Sequence, residues 1–303
     1  MTPISRRTFL KTTSAAVAAG AAFSQLPHLY AEPLGLPLGL QLYSVRDLLT
    51  KDYEGTLKQV AALGYREVES AGYYGRSADQ VKQAMVTAGL RCVSAHYPLA
   101  QLQPKVDEIL AFSKVIDIKN IICSSPMLKD PSRTKDFKGV AEAMTLDDWR
   151  WNAEQFNAIG KKVKAAGMKF GYHNHTMEFR AENGVTPFDE LLRLTDPADV
   201  MIEMDCGWVA VAGQSPAELL KKYPTRIAML HVKDFKVSGV ASATNPPPST
   251  ELGRGSLDYK AIFGAAKEAK ASITHCFVEQ EEFDMAPFEA LKIDADYMRS
   301  LKV

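Results

Sequence analysis

Residues 200–235 read VMIEMDCGWVAVAGQSPAELLKKYPTRIAMLHVKDF, and this stretch decides the fold. It opens on a short apolar run that turns polar at its end, VMIEMDCGW (200–208). A helical segment, SPAELLKKY, follows, with Ser215 placed as its N-cap and Pro216 in its first turn. A second apolar run, RIAMLHVKDF (226–235), ends in polar residues in the same way. The pattern repeats outward from this unit. Upstream lie LGLQLYS (38–44), YREVESAG (65–72), LRCVSAHYP (90–98), KNIICSSP (119–126) and MKFGYHNH (168–175), and downstream lies THCFVEQEE (274–282). Between the runs are amphipathic stretches, three of which stop at Gly64, Gly89 and Gly167, where a helix C-cap is expected.

Eight strands separated by helices, each connection long enough for a right-handed crossover, make a parallel sheet. Eight such units in one domain-sized chain close most simply into a single-domain α/β structure, the (β/α)8 TIM barrel, here over residues 32–303. A doubly wound open sheet would carry a glycine-rich turn after its first strand, where Gln41-Leu42-Tyr43-Ser44-Val45-Arg46 stands instead. Two connections, 125–145 and 236–257 with its Pro246-Pro247-Pro248, are too long for plain linkers. Both leave C-terminal strand ends, where barrel active sites form, and read as lids.

The N-terminus reads Ser5-Arg6-Arg7-Thr8-Phe9-Leu10-Lys11, followed by an alanine-rich stretch to Phe23. This is a charged region plus an apolar region, a targeting segment and not a helix of the fold. It resembles a twin-arginine export signal, with residues 1–31 removed after Ala31. That resemblance implies passage through the twin-arginine translocase and a periplasmic location. The translocase carries folded proteins, which suits an enzyme whose cofactor is loaded before export. The rest of the chain has no apolar run near the ~20 residues that span a bilayer, so no stable membrane insertion is expected. The 303 residues have a formal net charge of zero with both signs mixed, unlike a nucleic-acid binder, and nucleic acid is not an expected partner. Cys92, Cys123, Cys206 and Cys276 each lie in an apolar run without a C-x-x-C spacing and read as core.

Alternate residues of each barrel strand point inward. On that parity the strand ends offer Gln41, Glu69 and His96, then His173 and His175, with Glu178 in the loop that follows. The sixth strand offers Glu203 and Asp205, the seventh His231 and Lys233, the eighth Glu279 and Glu281. So many ionisable groups at one mouth are costly unless something compensates them. One divalent ion among His173, Asp205, His231 and Glu279 would do so, and a mixed nitrogen and oxygen set suits Mn2+, Co2+, Zn2+ or iron.

The segments YHNHTMEF, EMDCGWVAVAG, LHVKDF, LGRGSLDY and FVEQE resemble the xylose-isomerase-like TIM barrels, also called sugar phosphate isomerase/epimerases, over the whole mature chain. The resemblance implies a metal held by residues from strands five to eight, in the order Glu, Asp, His, Glu. Asp205, His231 and Glu279 match that order, and His173 stands where many members have glutamate. In the ketose epimerases the two glutamates are also the opposed acid/base pair. With His173 in place of one, the resemblance points toward inosose dehydratases and 3-keto-glycoside lyases.

The shared chemistry is enolisation of a sugar or keto-sugar. A metal polarises a carbonyl, and a nearby base removes the adjacent proton. Glu279, His175 and Glu178 are the candidate bases, with Glu178 also an alternative ligand. Lys233 either stabilises the enediolate oxygen or pairs with Glu279 or Glu281. Trp208 either stacks on a sugar face or packs, and Arg254 either binds a substrate group or serves a turn. Gln41, Glu69, His96 and Glu281 are expected sugar contacts. Export favours free sugars, glycosides or 3-keto forms over phosphorylated sugars. The alternatives are a ketose or sugar phosphate isomerase/epimerase and a non-catalytic sugar-binding protein. Homo-oligomers are compatible with either. A phosphodiester hydrolase on the same barrel would need more ligands than these six histidines allow and a basic surface.

Overall fold

The computed structural model describes residues 33–134, 136–237 and 246–303, so the export segment lies outside the described residues. The eight runs form one closed parallel barrel in chain order. Its strands are β1 (Gly39–Gln41), β2 (Glu67–Ser70), β3 (Arg91–Pro98), β4 (Asn120–Ser125), β5 (Lys169–His173), β6 (Val200–Asp205), β7 (Ile227–Val232) and β8 (His275–Val278). Closure is made at β1, where Gly39 faces Glu67 on one side and Phe277 on the other.

The helices start where short polar side chains cap them. Ser77 opens Ala78–Ala88 in a reciprocal cap with Gln80, and Thr145 opens Leu146–Ala165 in the same way with Asp148. Ser215 accepts from the backbone N–H of Glu218 at the start of Pro216–Lys222, as the sequence suggests. Gly89, at φ +75°, ends its helix in the left-handed conformation that glycine adopts without strain. Two of the sequence runs stop earlier than their apolar character suggests. In 200–208 the strand ends at Asp205 and the chain turns at once into the helix Cys206–Val211. In 226–235 the barrel strand ends at Val232, and Asp234–Phe235 pairs antiparallel with Ser249–Thr250 outside the barrel.

Most of the core lies between the barrel wall and the helices, where Trp149, Phe156, Phe170 and Tyr172 are buried. A second, smaller cluster of Val93, Ile122, Met229 and Phe277 plugs the barrel itself. Gly171 leaves room for it, because a Cβ there would stand 2.8 Å from Ile122 Cδ1. Interior positions above this plug, toward the C-terminal strand ends, are polar. At the opposite end Glu67 joins His275 at 2.7 Å and Arg91 at 2.5 Å, which keeps His275 out of the polar cluster described next. All four cysteines are buried.

The described parts of both long connections are tied to neighbouring elements, and residues 135 and 238–245 of them lie outside the described residues. In the first, Asn152 holds the backbone of Met127 at both ends of its amide, and Asp148 accepts from the backbone N–H of Lys129. This segment then forms the short helix Phe137–Ala143 over the barrel mouth. The second is anchored by the Asp234 carboxylate. It accepts backbone N–H bonds from Phe235, Gly253, Gly255, Ser256 and Leu257 at 2.9–3.2 Å. The approach is close enough that a Cβ on Gly255 would lie 2.0 Å from Asp234 Oδ1, which accounts for glycine in the LGRGSLDY segment. Among the described residues no helix is long and apolar enough to cross a membrane.

Candidate active site

The polar interior is built in two layers. Register sets them: His173 faces Glu203 across β5 and β6, and two residues further along β6 Asp205 faces His231 on β7. One strand therefore supplies a carboxylate to each layer. In the lower layer Glu203 Oε2 lies 2.6 Å from His96 Nε2, 3.2 Å from His173 Nδ1 and 3.3 Å from His231 Nε2. Glu69 Oε2 also contacts His96 and lies 3.2 Å from His231 Nε2, while Gln41 donates to it at 2.7 Å. Burial opposes the Glu69 charge, but His96 and His231 hold its carboxyl well below the usual range. Burial and Glu69 oppose the Glu203 charge as well, and the imidazoles of His231 and His96 hold it down to about 2. His96 answers against its own burial, pushed up to about 9 by these two carboxylates.

The upper layer is spaced differently. Asp205 Oδ2 lies 4.0 Å from His173 Nε2 and 3.9 Å from His231 Nδ1, and no hydrogen-bond partner reaches it although it is buried. Its other oxygen accepts from the backbone N–H of Trp208 at 2.8 Å. Glu279 Oε2 stands 3.1 Å from His231 Nδ1. Donor atoms from His173, Asp205, His231 and Glu279 all lie within 4.8 Å of one another. A divalent ion bonded at about 2.0–2.2 Å spans ligand atoms up to about 4.4 Å apart, so this set would close in slightly around one. The fit has a second support. His173 presents Nδ1 and His231 presents Nε2 to the lower carboxylates, leaving the opposite ring nitrogens for an ion, the usual orientation of metal-bound histidines. Without an ion, burial pushes the Asp205 carboxyl up to about 7 against the pull of Lys233 and His231. Burial, and then the positive His231 beside it, keeps His173 neutral. A second group, His96, His173, Glu203 and His231, is also compact enough for an ion. Its nitrogens are already bonded to one carboxylate oxygen.

Lys233 is fully buried, ion-paired with Glu281 and with Glu279 at 3.2 Å, and its ammonium lies 4.7 Å over the Trp208 ring. Of the two readings of Lys233, the structure shows the pairing one, and the pair lies beside the upper layer. His175 packs edge-on to His173 with ring centroids 5.0 Å apart, and its Nδ1 is buried without a partner. Burial and then Lys233 push this imidazole down to about 3, so it is neutral. Glu178 does not join the cluster. It bonds the Tyr172 hydroxyl and accepts from the His175 backbone N–H at 3.1 Å, and burial pushes it up to about 7. Its position secures the loop that carries His175. Gln41 and Glu69 are fully buried inside the lower layer. Arg254 is half exposed and pairs with Glu251 at 3.3 Å in the turn anchored by Asp234. Sequence parity indicated Glu203 but gave it no task. Its role comes from one oxygen reaching three imidazoles, and no sequence pattern carries that.

Comparison with known proteins places the chain among relatives. The family model described as Xylose isomerase-like TIM barrel matches residues 57–301, and that of the TAT (twin-arginine translocation) pathway signal sequence matches residues 3–24. Inosose dehydratase of Clostridium perfringens (strain 13 / Type A) is 25% identical over 232 residues, 70% of this chain and 76% of that protein. The structure of a sugar phosphate isomerase/epimerase from Parabacteroides distasonis ATCC 8503 is 27% identical, with a TM-score of 0.70 over 86% of this chain and 97% of the other. The structure described as IOLI protein with a binding zinc atom has a TM-score of 0.66 over 86% of this chain and 96% of the other. At 13% identity it shows a shared fold alone.

Proposed function

The chain belongs to the xylose isomerase-like TIM barrel family, and from that premise we propose that it is an exported, divalent-metal-dependent lyase. Its substrate is a non-phosphorylated keto-sugar or 3-keto-glycoside, from which it takes the proton beside the ketone and expels the group β to it. The observation that carries this reading is the imidazole of His173 in the upper layer. Paired opposed carboxylates would move a proton across a sugar face, and here the β5 position holds a ring that its own burial keeps neutral. Proton removal from one side remains, and with a leaving group in the β position that chemistry ends in elimination. The inosose dehydratases among the relatives carry in their name the same kind of outcome, loss of water.

His173, Asp205, His231 and Glu279 would hold the ion, Mn2+, Co2+ or Zn2+, which supplies Lewis-acid polarisation of the ketone when bound. His175, beside this set with an unpartnered buried nitrogen, takes the proton. The Lys233 ammonium, fixed by Glu279 and Glu281, donates to the oxygen that gains charge. Trp208 offers a ring face to the sugar. Glu69, Gln41, Glu203 and His96 support from below.

The test is incubation of the metal-loaded enzyme with a methyl 3-keto-glucoside in deuterium oxide. Loss of methanol, or exchange of the proton next to the ketone, is expected. In His175→Ala the rate should fall by roughly 10²–10⁴ with the metal still bound, the usual worth of one acid/base group. Efficient interconversion of two ketose epimers with no elimination from the keto-glucoside would replace this reading with the epimerase one. The match to a twin-arginine signal supports export, and we place the mature protein in the periplasm. Changing Arg6 and Arg7 together to Lys should leave it in the cytoplasm, whereas undiminished recovery of that variant from the periplasm refutes the route.

A further inference from the structure

Next to the polar layers is a cavity of about 240 Å3 with a different character. Phe137, Ala141, Met177, Trp208 and Pro246 make most of its wall, Lys138 and Thr176 complete it, and His175 stands on the side of the candidate metal ligands. Phe137 is one of the few large apolar side chains left open to solvent among the described residues, at 46% exposure. Its ring meets His175 edge-on with centroids 5.0 Å apart, and the His175 ring meets His173 at the same spacing. Two ring-sized steps therefore lead from a metal ligand into an apolar chamber, with one imidazole between them. A chamber of this volume exceeds the roughly 150 Å3 apolar cavity that takes up benzene in another protein.

A sugar ring does not need such walls. Its hydroxyls require many hydrogen-bond partners, which the upper layer supplies, whereas in the cavity Lys138, Thr176 and His175 stand among mostly apolar walls. A glycoside has a second part, joined to the sugar through one oxygen on the carbon β to a 3-ketone. Resting on the lyase reading above, we infer that this cavity is an aglycone subsite and that the preferred substrates are 3-keto-glycosides with an apolar, ring-sized leaving group. In the reaction the C2–H bond breaks and its electron pair forms the C1=C2 double bond of an unsaturated ketone. The C1–O bond breaks, its pair stays on the departing oxygen, and that oxygen takes up a proton to leave as a phenol or alcohol. Nothing is oxidised or reduced. The ketone must come from a prior oxidation of the glycoside at C3, so a dehydrogenase-class reaction has to supply the substrate. Phe137 and Ala141 belong to the short helix Phe137–Ala143, so the insertion after β4 decides the leaving group while the barrel decides the sugar.

The experiment compares benzyl and methyl 3-keto-glucosides, whose leaving alcohols have similar acidity, in wild type, Phe137→Ser and Ala141→Phe. The first variant removes a wall and the second fills the chamber. Wild type should prefer the benzyl substrate by roughly tenfold or more in kcat/KM, the scale on which an apolar contact discriminates. Both variants should bring that preference to near parity with the methyl rate changed less than about twofold. A parallel titration uses the unoxidised benzyl and methyl glucosides, followed by calorimetry and tryptophan fluorescence, and needs no turnover. Benzyl glucoside should bind more tightly than methyl glucoside in wild type and not in the variants. Elimination from both substrates with a preference that neither variant alters overturns the subsite and leaves the lyase reading standing. Absence of elimination from both, with Phe137-dependent binding of the benzyl compound, overturns the lyase reading and keeps the subsite. Equal binding of the two glucosides in all three proteins also overturns the subsite.

Discussion

Glu203 and Asp205 are two residues apart on β6, both fully buried and both among histidines. Glu203 has one oxygen within hydrogen-bond distance of three imidazole nitrogens. Asp205 has one oxygen satisfied by a backbone N–H and the other facing two ring nitrogens across gaps of 3.9 and 4.0 Å with nothing bonded to it. The difference shows how a barrel mouth can build a site from one residue type. The lower layer also keeps unpartnered oxygens, Oε1 of Glu203 and of Glu69, but the imidazole nitrogens facing it are already bonded, which fixes the ring orientations. The upper layer keeps donor atoms in reserve at the spacing an ion needs. A buried charge is tolerable where opposite charge lies in contact with it: Glu203 touches its imidazoles, whereas His231 and Lys233 pull on Asp205 less strongly than burial opposes its charge.

The largest expected effect breaks the comparison outright. In Asp205→Ala or His231→Ala, elemental analysis of purified protein should find the metal, about one ion per chain in the wild type, absent, and activity at background. Full metal occupancy in Asp205→Ala together with none in Glu203→Ala would move the ion to the lower layer. Glu203→Gln sharpens the same contrast at smaller size. Losing an orienting carboxylate behind a metal-bound histidine usually costs 10–100-fold in affinity. The metal dissociation constant should rise by roughly that factor, and excess metal should restore activity. An unchanged constant would reduce Glu203 to packing.

Asp294 provides a control away from the mouth. It lies buried on the helix Pro287–Ser300, accepts from the Leu252 backbone N–H at 2.7 Å, and has its second oxygen unpartnered, as Asp205 does. Burial raises its carboxyl from 3.8 to about 7, but no imidazole faces it, so an orphan oxygen alone does not make a site. Its raised value means that the folded protein holds the proton more tightly than the unfolded chain. Stability from this group is present below about pH 4 and is lost as pH rises through about 7. Asp294→Asn removes that penalty. The melting temperature should rise by roughly 2–6 °C at pH 8, and the gain should shrink toward zero at pH 4.5. An equal gain at both pH values would assign it to packing.

Much of the candidate metal set was legible because a barrel strand converts sequence parity into direction. His173, Asp205, His231 and Glu279 sit at polar ends of apolar runs on the inward parity, and the fold brings them together. Glu178 was not legible. Whether a loop carboxylate turns into the mouth or beneath its own loop depends on Tyr172, which points outward from β5 into the helix layer and meets it there. For Arg254 the sequence left a turn role and a substrate role open, and the structure adds the turn, gathered by Asp234, and a pair with Glu251. Phe137 had no signal beyond an apolar residue in a polar insertion. It matters because that insertion folds onto His175.

What the sequence determined by itself is therefore the period: eight strand–helix units, their closure and the inward side of each strand, because these follow from local hydrophobic spacing and capping that any neighbouring unit repeats. Tertiary structure alone decided which inward residues stand in hydrogen-bond contact and which stand farther apart. The stagger between neighbouring strands sets whether a carboxylate stands beside an imidazole at hydrogen-bonding distance or one ion's width away. Strand pairing across the closed barrel fixes that stagger, and no single strand contains it.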